Sequence, residues 1–232
     1  MSIADDVETG VDEVLKPNWS ITEGTKVPET EDIVLRNGAV KLDATYVYAD
    51  MADSTGLAQA YNQKIVAKTI RCYLHAATKI LADRGAEIRS FDGDRVMGIF
   101  IGESKNTEAV RAALGISWAV EKVIKPRLKA KWDDFTWEMG HGVGIDTGDA
   151  MLVRGGVRGT NDTISIGRSP NIAAKLSEQR GARSIFITSS VYSSMNDSVK
   201  TTKGVNMWSD LGTTQYGQNS VRYYGSSYHW KP

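Results

Sequence analysis

Apolar and polar positions first alternate regularly at "AVKLDATYVYAD", residues 39–50, where β-branched and aromatic side chains recur at every second place. That period marks a half-buried strand. The spacing changes directly after it. "DST" at 53–55 offers helix N-cap types, and Leu57, Tyr61, Ile65, Thr69, Cys72, Ala76 and Ile80 then recur at helical intervals, which predicts one long helix to about Arg84. Gly85 is a natural stop for it. Strands over 86–91 and 95–101 flank the turn "DGD". A second helix over 107–125 carries Ala109, Ala112, Ile116, Ala119 and Val123 on one face, and Pro126 ends or kinks it. "FTWEMGHGVGID", 135–146, reads as a fourth strand.

That order, β-α-β-β-α-β, is the ferredoxin-like split motif. Further strands near 149–154 and 162–166, a helix near 171–179, a strand at 184–188 and a pair near 205–211 and 220–227 follow. The fold class is therefore α+β, a ferredoxin-like βαββαβ core with additional C-terminal strands and helices. Residues 1–38 are acidic and loop-rich. Ile3, Val7, Val11 and Val14 keep helical spacing there, predicting a short amphipathic helix that packs on the domain or on a partner. "KPNWSITEGTKVPETED" reads as an irregular connection. The division is an N-terminal extension, 1–38, and one domain, 39–232, with no repeat or low-complexity tract.

Size and charge narrow the classes. A chain of 232 residues buries a real core without disulfide staples. Lys+Arg and Asp+Glu both total 28, which gives no support to a broad nucleic-acid or membrane surface. The one cysteine, Cys72, falls in the helical apolar pattern and is expected to pack in the core, in keeping with a reducing, cytoplasmic setting. "MSIADDVETG" lacks the apolar stretch of a signal peptide, and no apolar run approaches the ~20 residues that span a bilayer.

The turn "DGD" raises the question of chemistry. Asp and Gly are ordinary hairpin-turn residues, and a carboxylate there is also a metal ligand type. In the split motif the first and third strands are neighbours. Asp50 ends the first, and Asp94 sits at the turn before the third, so their carboxylates can approach across 44 residues of sequence. Like charges brought together repel unless a cation lies between them. Mg²⁺ prefers such a pair, completed by waters and substrate phosphates. The turn after Asp50 also opens a helix, whose free N–H groups suit a phosphate. These are the ingredients of phosphoryl transfer.

At this point the sequence resembles a family, the class III nucleotidyl (adenylate/guanylate) cyclase catalytic domain. "YVYADMADST" (46–55) is similar to the signature of the first metal aspartate, "FDGDRVMGIF" (91–100) to the hairpin of the second, and "GVGIDTGDAMLV" with "TISIGRSPNIAAKL" to the later Gly-Ile strand and Asn-containing helix. The resemblance covers about residues 40–230. It implies that Asp50 and Asp94, with the backbone carbonyl of Met51, hold two Mg²⁺ or Mn²⁺ ions. It implies that Met51, Ala52, Asp53, Ser54 and Thr55 form the turn facing substrate, with Asp53 and Asp92 as cap and turn residues. Asn171 would orient the ribose. Lys175, where the family has arginine, would stabilise the reacting phosphate without arginine's planar fork. The family's sites form between two chains, so a head-to-tail homodimer is implied.

The departures are informative. Purine cyclases carry lysine or glutamate four residues before the second metal aspartate, and this chain has Ser90. The second base-reading position is Ile164. A buried purine edge left without partners loses roughly 1–3 kcal/mol per unmade hydrogen bond. The family's phosphate-binding arginine aligns with Gly142, and its C-terminal Lys-Gly contact with Tyr216–Gly217; Lys200, Lys203, Arg154 and Arg158 are substitutes by charge, though solvation is the plain role of each. His141 reads as a packed or surface histidine. Retained metal aspartates with lost purine readers resemble the stand-alone pyrimidine cyclases of the bacterial Pycsar anti-phage system. That implies a uridylate cyclase, UTP favoured over CTP, whose product acts on a separate effector, with no nucleic acid or membrane as partner. Three alternatives stay open: an adenylate cyclase with an atypical base pocket, a cyclase-like dimerisation or nucleotide-sensing module, and a diguanylate cyclase, which would want "GGDEF" where this chain reads "DGDRV".

Overall fold

The computed structural model describes residues 2–157 and 159–232. The N-terminal segment holds α1 (Ile3–Leu15) and β1 (Ser20–Glu23), and the core begins at β2 (Gly38–Ala52). Next come α2 (Ser54–Ala60), α3 (Gln63–Asp83), β3 (Glu87–Asp92), β4 (Arg95–Phe100), α4 (Lys105–Trp118) and α5 (Lys125–Lys131). The chain continues through β5 (Gly140–Val157), β6 (Thr160–Ile166), α6 (Arg168–Ser177), β7 (Ile185–Thr188) and α7 (Ser189–Ser194). A small hairpin, β8 (Thr201–Thr202) with β9 (Val205–Asn206), precedes the pair β10 (Ser209–Tyr216) and β11 (Asn219–Ser226). The main sheet runs β10-β11-β7-β5-β2-β4-β3, with β1 added parallel to β2 and β6 antiparallel to β5. The segment β5-β2-β4-β3 is the split βαββαβ order expected from the sequence.

Alternation along β2 divides the core into two faces. Val47, Ala49 and Met51 pack with Tyr73, Ala77 and Leu81 of α3 and with Ala109, Val110 and Ala113 of α4. Leu42, Ala44 and Tyr46 point the other way and meet Met97, Leu152 and Ala173. α6 covers this second face over β5 and β2. It sits unusually close. A Cβ at Gly142 would lie 2.2 Å from the Ser177 carbonyl oxygen, and one at Gly144 would lie 2.1 Å from that of Ala173. Glycine at both places is what lets the helix backbone rest on the strand.

Several expectations need correction. The long helix to Arg84 is two helices. The chain breaks at Tyr61, and Asn62 caps α3 by accepting from the N–H groups of Lys64 (3.1 Å) and Ile65 (3.2 Å). The break resets the helical phase, so Thr69, Tyr73, Ala77, Ile80 and Leu81 are the buried positions of α3. Cys72 is exposed, not a core residue. Of the two outcomes expected at Pro126, an end or a kink, the helix does not end there. A π-helical segment, Ala119–Ile124, widens the preceding turn, and α5 continues with Pro126 in its first turn, where no N–H is needed. Residues 135–139 are not strand. Phe135 stacks on Tyr61 at 4.8 Å, and the Tyr61 hydroxyl oxygen accepts the Thr136 N–H at 2.8 Å. Instead β5 starts at Gly140 and runs unbroken through both strands expected between 140 and 154. The connection read as irregular contains β1, whose one apolar residue, Ile21, is exposed and leaves no alternating signal.

Candidate active site

Cross-strand partners in register point to one face of a sheet. Two such rows converge at the upper end of β2, on the face that α6 covers. Gly142, Asp50, Arg95 and Asp92 form one row, and Gly144, Tyr48, Met97 and Ser90 form the next. The hairpin turn after Asp92 carries Asp94, whose backbone carbonyl accepts the Met51 N–H at 3.3 Å. The turn thus ties Asp94 to the residue that follows Asp50. Met51 turns its side chain into the core, and Ala52 is buried beside it.

The electrostatics are set by Asp50. Its side chain is 14% exposed. Burial pushes its carboxyl above the usual range, the Arg180 guanidinium opposes that, and the nearby Asp94 charge adds to it. Arg180 Nη2 donates to Asp50 Oδ2 at 2.7 Å, and its Nη1 donates to the carbonyls of Ser177 (2.7 Å) and Gln179 (3.0 Å). Arg180 Nη1 also lies 3.0 Å from the place where a Cβ on Gly142 would stand. A guanidinium therefore occupies the space above Gly142, delivered from the end of α6 and not from the strand. Arg95 adds a second cation. It sits 5.4 Å over the Tyr48 ring and pairs with Asp92 (3.0 Å) and Glu178 (3.5 Å).

The donor set fits a hard divalent cation. One carboxylate from β2 and one from the β3–β4 turn beside it are close enough for the charge of Asp94 to act on Asp50, and among the described residues no third acid, His or Cys joins them into a larger cluster. Such a set leaves positions for water and phosphate oxygen, which suits Mg²⁺ or Mn²⁺ and not a structural zinc. His141 is no candidate base: it is buried against the Ser117 hydroxyl at 3.0 Å, and burial pushes its pKa down to about 3.

The remaining sequence candidates fall in separate places. Asp53 caps α2 with φ +59°, accepting from Gly56 N–H (3.2 Å) and Trp137 Nε1 (3.0 Å), as a cap residue should. Ser54 and Thr55 lie in the first turn of that seven-residue helix. Ser90 is half-buried in the Tyr48 row. Ile164 is exposed on β6, opposite Val153. Gly144, in the Ser90 row, and Val153 are nine residues apart on β5, about 30 Å at ~3.3 Å per residue, so one chain does not bring Ser90 and Ile164 together.

Asn171 and Lys175 occupy successive turns on the exposed side of α6, opposite its buried Ile172, Ala173 and Leu176. Arg168, the first residue of that helix, is held by the buried Asp146 at 3.2 Å, and Asp146 accepts the Thr188 hydroxyl at 2.6 Å. Lys175 donates to Glu178 at 3.0 Å. Through Glu178, which also pairs with Arg95 at 3.5 Å, Lys175 is linked to the row that holds Asp50, and Asn171 lies one turn further back along α6.

Of the cations offered as phosphate contacts, Arg154 donates to Asn161 (2.7 Å), Lys200 pairs with Asp197 (3.0 Å), and Lys203 sits in the β8–β9 turn with φ +49°. Arg158 lies outside the described residues. Sequence reasoning missed Arg180, Arg95 and Tyr48. Tyr48 was open to discovery, because it sits two places before Asp50 and strand parity puts both on one face. Arg180 carries no local signal.

No family model matches the chain. It is 39% identical to a uridylate cyclase of Rhodovulum sp. (strain MB263), across 100% of this chain and 99% of that protein. It is 36% identical to a uridylate cyclase of Xanthomonas perforans, again across 100% and 99%. A uridylate cyclase of Burkholderia cepacia is 39% identical over 93% of this chain and 96% of its own. Among solved structures, the adenylyl cyclase CyaB from P. aeruginosa shares the fold with a TM-score of 0.71 at 23% identity, over 81% of this chain and 95% of that one. The guanylyl cyclase Cya2 does so with a TM-score of 0.68 at 17% identity, over 83% and 95%.

Proposed function

The chain belongs to the uridylate cyclases, a nucleotidyl cyclase family on the class III fold, and from that membership we propose that it converts UTP to 3′,5′-cyclic UMP and pyrophosphate. The observation that carries the reading is the tie between Asp50 and the Asp94 turn at the end of adjacent strands. Asp50, Asp94 and the Met51 carbonyl would hold two divalent cations, Mg²⁺ or Mn²⁺, which supply charge against the triphosphate and acidify the ribose 3′-hydroxyl. The 3′-oxygen bonds to the α-phosphorus, the bond from that phosphorus to the bridging oxygen breaks, and pyrophosphate leaves. The hydroxyl proton goes to solvent. Asn171 orients the ribose. Lys175 leaves Glu178 and donates to the non-bridging α-phosphate oxygens as their charge grows. The turn 51–55 lies along the triphosphate.

The resemblance of the motifs to class III cyclases supports a two-fold, head-to-tail homodimer in which each site takes Asp50 and Asp94 from one copy and Asn171 and Lys175 from the other. A pyrimidine fits this reading better than a purine. Ser90 and Ile164 present a short hydroxyl and a hydrocarbon where a purine edge needs matched partners. As in the Pycsar-type enzymes that the motifs resemble, the product acts on a separate effector in anti-phage defence. The test is to incubate the pure chain with each of the four ribonucleoside triphosphates and Mn²⁺ and to separate the products. UTP is expected to give its cyclic monophosphate at least about tenfold faster than ATP or GTP, one unmatched hydrogen bond being worth about that factor. ATP consumed as fast as UTP would sink the pyrimidine reading.

Arg180 gives a further expectation. A cation reaching Asp50 has to share it with, or displace, a guanidinium at 2.7 Å. Arg180 is 42% exposed, so its hold on Asp50 is worth only about 0.5–1 kcal/mol. Arg180→Met should therefore tighten Mn²⁺ binding two- to fivefold, read by the loss of free Mn²⁺ signal in electron paramagnetic resonance. Unchanged binding in a folded variant would mean that Arg180 does not compete with the metal, and weaker binding that it helps to hold it.

A further inference from the structure

α1 is an amphipathic helix whose apolar stripe is left uncovered among the described residues. None of its thirteen residues is buried, and Ile3, Val7, Val11, Val14 and Leu15 are all exposed. An isolated helix of this length is marginal in water even when well capped. At 100° per residue the apolar side chains form one stripe, bordered by Asp6 on one side and by Glu8 and Asp12 on the other. The helix carries five acids and no base.

On the outer side of the domain, α3 and α5 leave a groove of about 640 Å³. Its floor is apolar, with Ala76, Ile124, Leu128 and Trp132. Its walls are cationic, with Lys68 and Arg71 on α3 and Arg127 and Lys131 on α5. Arg127 donates only to the Val123 carbonyl, and no ion pair among the described residues uses any of the four. An apolar floor between two basic walls is the counterpart of an apolar stripe between two acidic borders.

We propose that the groove between α3 and α5 receives α1 of a second copy of this chain. The chain's own α1 is at the wrong end of the sheet. β1 joins the start of β2, and Glu13 is held there by Arg36 at 2.6 Å. β2 has fifteen residues, about 50 Å at ~3.3 Å each, and the groove is lined by the middle of α3, residues 68–76, the helix that follows the far end of that strand. The tether from Lys16 to Trp19 reaches at most about 14 Å. A head-to-tail pair, on which this inference rests, sets the near end of one copy against the far end of the other. Two α1 helices would repel each other as five acids against five.

The single cysteine, Cys72, lines the groove and supplies the test. Val7→Cys and Val11→Cys variants of the full chain are oxidised mildly at low protein concentration and run on a non-reducing gel. At least one is expected to give a covalent dimer several times faster than Thr9→Cys, which puts the thiol on the opposite side of α1, and the product should vanish in a Cys72→Ser background. Reversing Arg71 and Arg127 to Glu should cut the dimer yield at least fivefold. The proposal is overturned if neither variant links, if an internal monomer bridge forms, if the dimer survives Cys72→Ser, if Thr9→Cys links equally, or if charge reversal changes nothing. UTP turnover is measured on the wild-type chain. Turnover without the cross-link sinks the docking alone, and the cross-link without turnover sinks only the cyclase reading.

Discussion

Asp94→Ala is expected to lower UTP turnover by at least about a thousandfold, roughly 4 kcal/mol of transition-state stabilisation, while the protein stays folded. The two halves of this expectation have one cause. Asp94 is half-buried at a hairpin tip and holds its neighbour through its backbone, since it is the Asp94 carbonyl that accepts the Met51 N–H. Alanine keeps that bond. It removes only a carboxylate whose charge burdens the buried Asp50, so thermal unfolding in metal-free buffer should move by no more than a degree or two. Asp50→Ala should lose as much activity but costs slightly more stability, because it leaves the Arg180 guanidinium without its carboxylate. Turnover and unfolding, measured on the same preparations, check both. A folded Asp94→Ala protein that keeps a tenth of wild-type turnover would remove the metal role of that carboxylate.

Mixing two dead variants should restore activity. Asp94→Ala and Asn171→Ala homodimers are each expected to be inactive, since every site in each carries its lesion. With free exchange at equal amounts, half of the dimers become mixed. In a mixed dimer one site collects both lesions, and the other draws an intact Asp94 from one copy and an intact Asn171 from its partner. By two-fold counting about a quarter of all sites recover. The size of this effect, from background to about a quarter of wild type, sets it apart from any change in stability. Differently tagged chains report the exchange itself. Tagged mixed dimers with background activity would show that the two residues do not serve one shared site.

Strand and helix identity were legible because they follow from neighbours in sequence. The alternation over 39–50 needs only the pleat of one strand, and the split βαββαβ order needs only the succession of such elements. The pairing of Asp50 with the Asp94 turn could be anticipated for the same reason: the topology makes their strands adjacent. Where local pattern was thin, the reading slipped. Cys72 lies in an apolar run, but the break at Tyr61–Asn62 turns α3 so that Tyr73 and Ala77 face the sheet and Cys72 faces out. The aromatic segment 135–139 reads as strand, yet Phe135 stacks on Tyr61 and the Tyr61 hydroxyl accepts the Thr136 and Trp137 N–H groups.

The sequence by itself determined the class of fold, the central strands and the placing of Asp50 beside the Asp94 turn. Only the tertiary structure decided what else meets them. Arg180 stands 130 positions from Asp50 and has no repeating neighbour to announce it. It reaches the carboxylate because Gly142 and Gly144 let α6 settle onto β5, so that the end of the helix overhangs the strand. Periodicity is a property of the local backbone and survives in any fold that keeps the element. A contact across the sheet depends on how closely two elements approach, and that distance is set by every side chain, or missing side chain, between them.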